Sequence, residues 1–276
     1  MTLDLTAWWE FVRARAVPGV ERLGEPPERS VRRLVPTPVG PQAVTIRLGS
    51  DGADDALVHR ERAWPPNGAE IQAGTESLAS VRRWLGADLD LGPARVALAE
   101  DPLMAPLLAA RPALGVPGAV DPAELALRTV LGQQVSLGAA ATFAGRLAAR
   151  LGEPVGDLRA FPTPTAIASA GEGVREVGLT GGRTRTLLAL AAALADGLDL
   201  AGDPASARRE LAALPGIGPW TVEYVALRAM RDLDAFPAHD LVLRRRLGVT
   251  DPREALAIAD RWRPWRGFAA QLLWSA

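Results

Sequence analysis

The sequence predicts a mostly α-helical protein with a small α+β unit at its N-terminus. Three observations lead there. Residues 30–48 (SVRRLVPTPVGPQAVTIRL) alternate in polarity and are broken by Pro and Gly, as strands joined by a turn should be. From about residue 90 onward apolar residues recur at helical spacing. Helix-opening signals punctuate that region. The clearest are Asp121-Pro122-Ala123-Glu124 and Asp251-Pro252-Arg253-Glu254, each an N-cap, a first-turn proline and a glutamate placed for a capping box.

In chain order, a helix is expected over residues 6–15, then two strands within 30–48, another over 56–63 and a helix over 76–85 that packs on the sheet. This divides the chain into an α+β domain at 1–88 and a helical region at 89–276. A helix from Asp121 toward Leu131 is interrupted by Gly132-Gln133-Gln134-Val135-Ser136, and Ser136 caps an Ala-rich helix to about Leu151. Thr163-Pro164 opens a helix ending by Gly171, and Thr180 precedes one ending at Gly197. Pro204 opens a helix to about Leu211, the next begins near Thr221, and Asp240 opens another. Pro264 separates the last two.

With 276 residues, 48% of them hydrophobic, the chain can bury a substantial core. No apolar run reaches membrane length, and the opening MTLDLTAWWE lacks the character of a signal peptide. A cytoplasmic protein with no membrane partner is expected. The absence of cysteine excludes disulfides, Cys-ligated zinc and iron–sulfur clusters, and having only two histidines (His59, His239) argues against a His-rich metal site. A net charge of −1 does not advertise nucleic-acid binding. Residues 241–276, however, hold seven arginines (244, 245, 246, 253, 261, 263, 266) against three acids, a flank able to meet phosphates. All 31 basic residues are arginine, so no lysine Schiff base can form.

Between two of the expected helices lies Leu214-Pro215-Gly216-Ile217-Gly218-Pro219-Trp220-Thr221. Its glycines permit a tight reversal with positive φ and leave no Cβ between backbone and ligand. Free amides at the following helix N-terminus would complete an anion site for Gly216, Gly218 and Thr221. Taken alone this is also an ordinary helix–loop–helix connection. Asp240 alone is most simply an N-cap, and Trp220 and Tyr224, at i and i+4, most simply a core-facing pair.

The hairpin and the aspartate together resemble the helix-hairpin-helix DNA glycosylase superfamily. Within it the chain is similar to AlkA-type 3-methyladenine DNA glycosylase II, through Gly216-Ile217-Gly218-Pro219-Trp220-Thr221-Val222-Glu223-Tyr224, Asp240, Arg261-Trp262-Arg263-Pro264-Trp265-Arg266 and Trp274. The resemblance implies a TATA-binding-protein-like domain and two helical subdomains around a cleft. It implies that Asp240 faces C1′ of a flipped nucleotide, that Trp220, Tyr224 and Trp274 line the base pocket, and that Trp262 and Trp265 are structural. Gln134 stands where relatives place an apolar DNA wedge, and His239 replaces an acidic residue. A monovalent cation, Na+ or K+, would be held by the backbone carbonyls of Ala212, Leu214 and Ile217, with no other cofactor required. Relatives with lyase activity carry lysine at the position of Trp220. The expected activity is therefore monofunctional: flipping and hydrolytic excision of 3-methyladenine and 7-methylguanine from double-stranded DNA, by a monomer, in base-excision repair. The alternatives are the same fold acting on deaminated or oxidised bases, or a non-catalytic DNA-binding module. The chain would also suit one domain of a fusion with an alkyl-transfer repair protein.

Overall fold

The computed structural model describes residues 3–25, 27–49 and 69–276; the strand expected over 56–63 and His59 lie outside the described residues. Helix α1 (Leu5–Arg13) starts where the Asp4 side chain accepts the Ala7 amide at 2.8 Å. An antiparallel meander follows: β1 (Glu21–Leu23), β2 (Arg29–Val35), β3 (Gln42–Leu48) and β4 (Ala69–Gln72), in sheet order β1-β2-β3-β4. Helix α2 (Leu78–Leu85) then covers the sheet beside α1. Val31, Val35, Val44 and Ile46 meet Trp8, Trp9 and Val12 of α1 and Val81, Trp84 and Leu85 of α2 in one core. Full burial of each aliphatic side chain is worth about 1.5–3 kcal/mol, and Trp8 adds an indole donation to the Trp84 carbonyl at 3.0 Å.

Arg33 shares the two-residue period of Val31 and Val35, so it points into this apolar face. It is stabilised there by its cross-strand partner Glu21 at 2.6 Å and by Glu124 from the helical region at 2.5 Å. Arg128 closes the cluster with bonds to both glutamates and to the Arg15 carbonyl. This corrects one expectation. Asp121 does cap its helix, accepting the Ala123 amide, but the Glu124 side chain bonds Arg33 and Arg128. The ion pairs replace the expected capping box and weld the N-terminal domain to the helices.

The helical region comprises α3 (Gly92–Leu98), α4 (Met104–Ala110), α5 (Pro122–Leu131), α6 (Leu137–Leu151), the two-residue strands β5 (Pro154–Val155) and β6 (Leu158–Arg159), α7 (Pro164–Ala170), α8 (Gly181–Ala195), α9 (Pro204–Ala213), α10 (Pro219–Arg228), α11 (Leu241–Leu247), α12 (Pro252–Ala259) and α13 (Arg266–Trp274). Ser136, Thr163, Thr180, Asp203 and Asp251 each cap the expected helix with a side-chain oxygen. The β5–β6 hairpin was not expected, being too short to show alternation. It is tied to the N-terminal sheet by Asp157, which pairs with Arg22 and Arg32.

These helices enclose two cores. Residues of α5 to α9 form one; α3, α4 and α11 to α13 form the other. Helix α10 belongs to both: Val222, Val225 and Ala229 enter the first, Ala226 and Leu227 the second. The hairpin that precedes α10 thus opens at the boundary between the two cores.

Candidate active site

The hairpin runs from the end of α9 to Gly218, the N-cap of α10. Its glycines serve different ends. Gly216 has φ +78°, and a Cβ there would overlap the Thr186 hydroxyl. Gly218 has φ −95°, and a Cβ there would meet nothing within 4 Å. Only Gly216 needs the left-handed region, contrary to the reading of both as turn glycines; Gly218 instead leaves open space in front of an uncapped helix end. No side chain caps α10, and Pro219 contributes no N–H, so the amides of Trp220 and Thr221 face outward without a backbone acceptor. The Thr221 side chain does not join them. It is buried, and its hydroxyl accepts from Gln133 at 3.1 Å.

Gln133 also donates to the Gly216 carbonyl at 3.1 Å, while its own carbonyl accepts from Arg183 at 2.6 Å. These bonds lash the α5–α6 turn to the hairpin. At the tip of that turn Gln134 is exposed with φ +57°, a backbone strain that the Gln133 bonds hold in place. Between turn and hairpin lies an open groove of about 370 Å³, lined by Gln133, Gln134, Arg183, Arg185 and Gly216 among others.

Asp240 is both the N-cap of α11 and the meeting point of two indoles. Its Oδ1 accepts the amides of Val242 and Leu243 at 2.9 and 3.1 Å and Trp274 Nε1 at 3.2 Å. Oδ2 accepts Trp220 Nε1 alone, at 2.9 Å. With three donors Oδ1 is saturated, whereas Oδ2 keeps a lone pair for another partner. The loop leading to Asp240 is fixed by the Phe236 amide donating to Glu223 at 2.9 Å, by Arg208 bridging Glu223 and Asp232, and by Arg266 clasping Asp234.

Trp220 stacks on Tyr224 at 5.0 Å and 15°, and Tyr224 meets Trp274 edge-on at 6.2 Å. All three rings are half-buried. The three residues singled out from the sequence therefore adjoin one another and the carboxylate. Three others escaped notice. Arg228 continues the Trp220–Tyr224 stripe by one more turn, and its guanidinium lies 5.2 Å from the Trp274 ring, 5.8 Å from Tyr224 and 4.9 Å from Phe11. Phe11, from α1, carries Arg15 at 4.1 Å on its ring. Burial works to raise the Tyr224 phenol, and the charges of Arg15 and Arg228 beside it override burial and hold it below the usual phenol range. Helical spacing could have found Arg228; nothing in the sequence around Phe11 signals that it reaches α10.

The expected basic flank is largely consumed internally. Arg261 pairs with Asp101, Arg263 with Asp234 and Asp260, and Arg266 with Asp234. Arg244 and Arg246 bond the carbonyls of Thr250 and Ala276. Trp262 is 1% exposed and donates to Asp101 at 2.9 Å, and Trp265 packs on the same core, so both are structural. His239 is exposed beside Asp240. Among the described residues no cluster of His, Cys, Asp and Glu could hold a metal, and no helix is long and apolar enough to cross a membrane.

Comparison with known proteins bears on the family and the fold. A family model described as the AlkA N-terminal domain matches residues 2–121, and one described as HhH-GPD superfamily base excision DNA repair protein matches residues 127–261. The chain is 40% identical over 276 residues to a "Probable bifunctional transcriptional activator/DNA repair enzyme AlkA" of Mycobacterium tuberculosis, covering 95% of this chain and 52% of that protein. It is 36% identical over 173 residues to DNA-3-methyladenine glycosylase 2 of Escherichia coli, covering 60% of this chain and 61% of the relative. The chain thus spans about half of the first relative's length and about three fifths of the second's. In fold it is similar to a 3-methyladenine DNA glycosylase from Archaeoglobus fulgidus, with a TM-score of 0.76, 20% identity and coverage of 99% and 94% of the two chains. A Clostridium acetobutylicum 8-oxoguanine glycosylase/lyase shares the fold at a TM-score of 0.70 and 14% identity, over 92% and 86% of the chains. With an AlkA N-terminal domain in front of its helical region, the chain belongs to the HhH-GPD superfamily of base excision DNA repair proteins.

Proposed function

We propose that the protein is a monofunctional DNA glycosylase that flips alkylated purines, 3-methyladenine and 7-methylguanine, out of double-stranded DNA and hydrolyses their N-glycosidic bonds, acting as a monomer in the cytoplasm. The observation that carries this reading is Asp240, a carboxylate gripped by the indoles of Trp220 and Trp274 with a lone pair of Oδ2 left open. Cleavage gives the sugar oxocarbenium character, and a fixed negative charge beside it lowers the barrier. Oδ2 is the oxygen with capacity to face C1′ and to take the proton of the attacking water. The aromatic cluster offers stacking surface for an extruded base.

Gln134 would fill the vacated stack, and the amides of Gly216, Gly218 and Thr221, with that of Trp220 beside them, would hold a phosphate. A Na+ or K+ at the hairpin fits the chain's own groups: the carbonyls of Ala212 and Ile217 accept no backbone amide outside regular helix, and that of Leu214 accepts only Ile217. Bound there, it would stiffen the hairpin; no other cofactor is required. Tryptophan at position 220 and the absence of lysine support hydrolysis without lyase chemistry. Incubation with methylated duplex tests all of this. Release of 3-methyladenine and 7-methylguanine, with the abasic strand left uncut and no borohydride-trapped adduct, is expected. Failure to release either base, or strand cleavage, overturns it.

A further inference from the structure

Arg228 is 2% exposed, yet no carboxylate pairs with it among the described residues. It donates to the Pro117 carbonyl at 2.9 Å and to Gln271 Oε1 at 2.7 Å, while its Nε is buried without a partner. A hydrogen bond with the Tyr224 phenol and three aromatic faces supply the remaining solvation. Burial pushes the guanidinium down to about 10, which leaves it charged at neutral pH. Trp274 stands between two opposite charges: its indole N–H bonds Asp240, and its ring faces Arg228. A buried cation without a counter-charge is costly for stability alone.

We propose that Arg228 is a specificity-determining residue whose charge, set behind the aromatic pocket, drives electrons onto the departing base and so extends excision to bases that carry no charge of their own. This rests on the glycosidase reading above. When the C1′–N bond breaks, both electrons pass to the base, and its charge falls by one. A cationic 7-methylguanine leaves neutral; a neutral hypoxanthine leaves as an anion and later takes a proton from solvent. Water adds to C1′ and gives its proton to Asp240. Arg228 therefore acts on the two classes at different stages. It repels the cationic base when bound, and the repulsion vanishes at the transition state. It ignores the neutral base when bound and attracts the anion that forms. Arg228 and Asp240 together set a field along the scissile bond, positive behind the base and negative beside the sugar.

A base stacked on the near side of the rings would lie roughly 9 Å from the guanidinium, where at an effective dielectric of about 20 one unit of charge change alters an equilibrium or rate on the order of tenfold. The test is single-turnover excision by the full chain from duplexes carrying 7-methylguanine or hypoxanthine, titrated to give the maximal rate and half-saturation. For Arg228→Met, the 7-methylguanine rate and half-saturation should both fall about tenfold, leaving their ratio unchanged. For hypoxanthine the rate should fall about tenfold at constant half-saturation. Arg228→Lys, which keeps the charge, should retain the wild-type pattern. If Arg228→Met melts below the assay temperature, Arg228→Met combined with Gln271→Leu removes the stranded acceptor and is measured instead. Equal losses on both lesions with no change in half-saturation for 7-methylguanine, or a lysine variant that behaves like methionine, overturn the proposal. A wild-type protein that releases no base would instead overturn the glycosidase reading on which it rests.

Discussion

Asp240→Asn removes one negative charge and little else. Asparagine is as good an N-cap as aspartate, so Oδ1 can keep the Val242 and Leu243 amides, now at 2.9 and 3.1 Å, and α11 stays in place. The conflict falls on Oδ2. As an amide nitrogen it would face Trp220 Nε1–H, which now donates to it at 2.9 Å, donor against donor. Turning the amide over would move the clash onto the oxygen with three donors, which is worse. One unpaired N–H costs about 1–3 kcal/mol when buried; both residues are half-buried, so the low end applies and the melting temperature should fall by only a few degrees. The chemical loss is larger. An oxocarbenium ion about 4 Å from a carboxylate, at an effective dielectric of about 20, gains about 4 kcal/mol, or about three orders of magnitude in rate. Single-turnover excision of 7-methylguanine, measured with thermal melting and abasic-duplex binding, should therefore show about a thousandfold slower release with affinity within about threefold of wild type. A loss under about tenfold in a folded protein would refute the assignment of Asp240.

The two hairpin glycines should separate. Gly216→Ala forces a left-handed residue against Thr186 and should lower the melting temperature by several degrees; Gly218→Ala should leave melting unchanged yet weaken binding to damaged and undamaged duplex alike, because its methyl occupies the space before the α10 amides. Unaltered duplex affinity in Gly218→Ala would remove the phosphate site. For Glu124, burial acts to raise the carboxyl, but Arg33 and Arg128 outweigh burial and hold it below the usual range. A depressed acid stabilises the fold fully above its unfolded value of about 4.3 and loses that contribution as pH falls through the folded value. Glu124→Gln should thus cost about 3 kcal/mol near neutrality, where Glu21 still serves both arginines, and the gap in melting temperature from wild type should close below about pH 4. A gap independent of pH would refute the ionic account.

Helix starts were legible in the sequence because they depend on neighbours: Asp121-Pro122, Ser136, Thr163-Pro164 and Asp251-Pro252 cap with oxygens two or three residues from the amides they serve. The Trp220–Tyr224 pair was legible for the same reason, since i and i+4 share a helix face. What failed was tertiary. Glu124 has the right spacing for a capping box, but two arginines 91 and 4 residues away bind it more strongly. Gly218 has the composition of a turn glycine and an extended backbone. Phe11 reaches the aromatic cluster only because α1 and α10 come together in space, and local pattern carries no such information.

The same distinction bears on how a protein of net charge −1 would engage DNA in the proposed function. Counting arginines in the sequence overstates the cation available, because Arg33, Arg128, Arg208, Arg231, Arg261, Arg263 and Arg266 are committed to internal carboxylates. Near the groove and the Asp240 helix, Arg185 and Arg245 are exposed and without partners among the described residues. In the proposed function, backbone amides at the α10 N-terminus and the hairpin would supply the rest of the phosphate contact, and amides carry no net charge. Counterion release scales with the phosphates that arginine neutralises, at about 0.9 per contact. Binding to an abasic duplex should therefore weaken with a slope near about −2 in log affinity against log salt, shallower than a basic DNA-binding domain making six or more ionic contacts. Fluorescence anisotropy between about 50 and 200 mM salt measures it, a range over which such a slope predicts only about a sixteenfold loss. Arg185→Ala should remove about one unit from the slope, whereas Gly218→Ala should lower affinity at every salt concentration and leave the slope alone. A wild-type slope steeper than about −5 would mean that the internal ion pairs open on DNA, and the assignment of phosphate binding to neutral amides would fall.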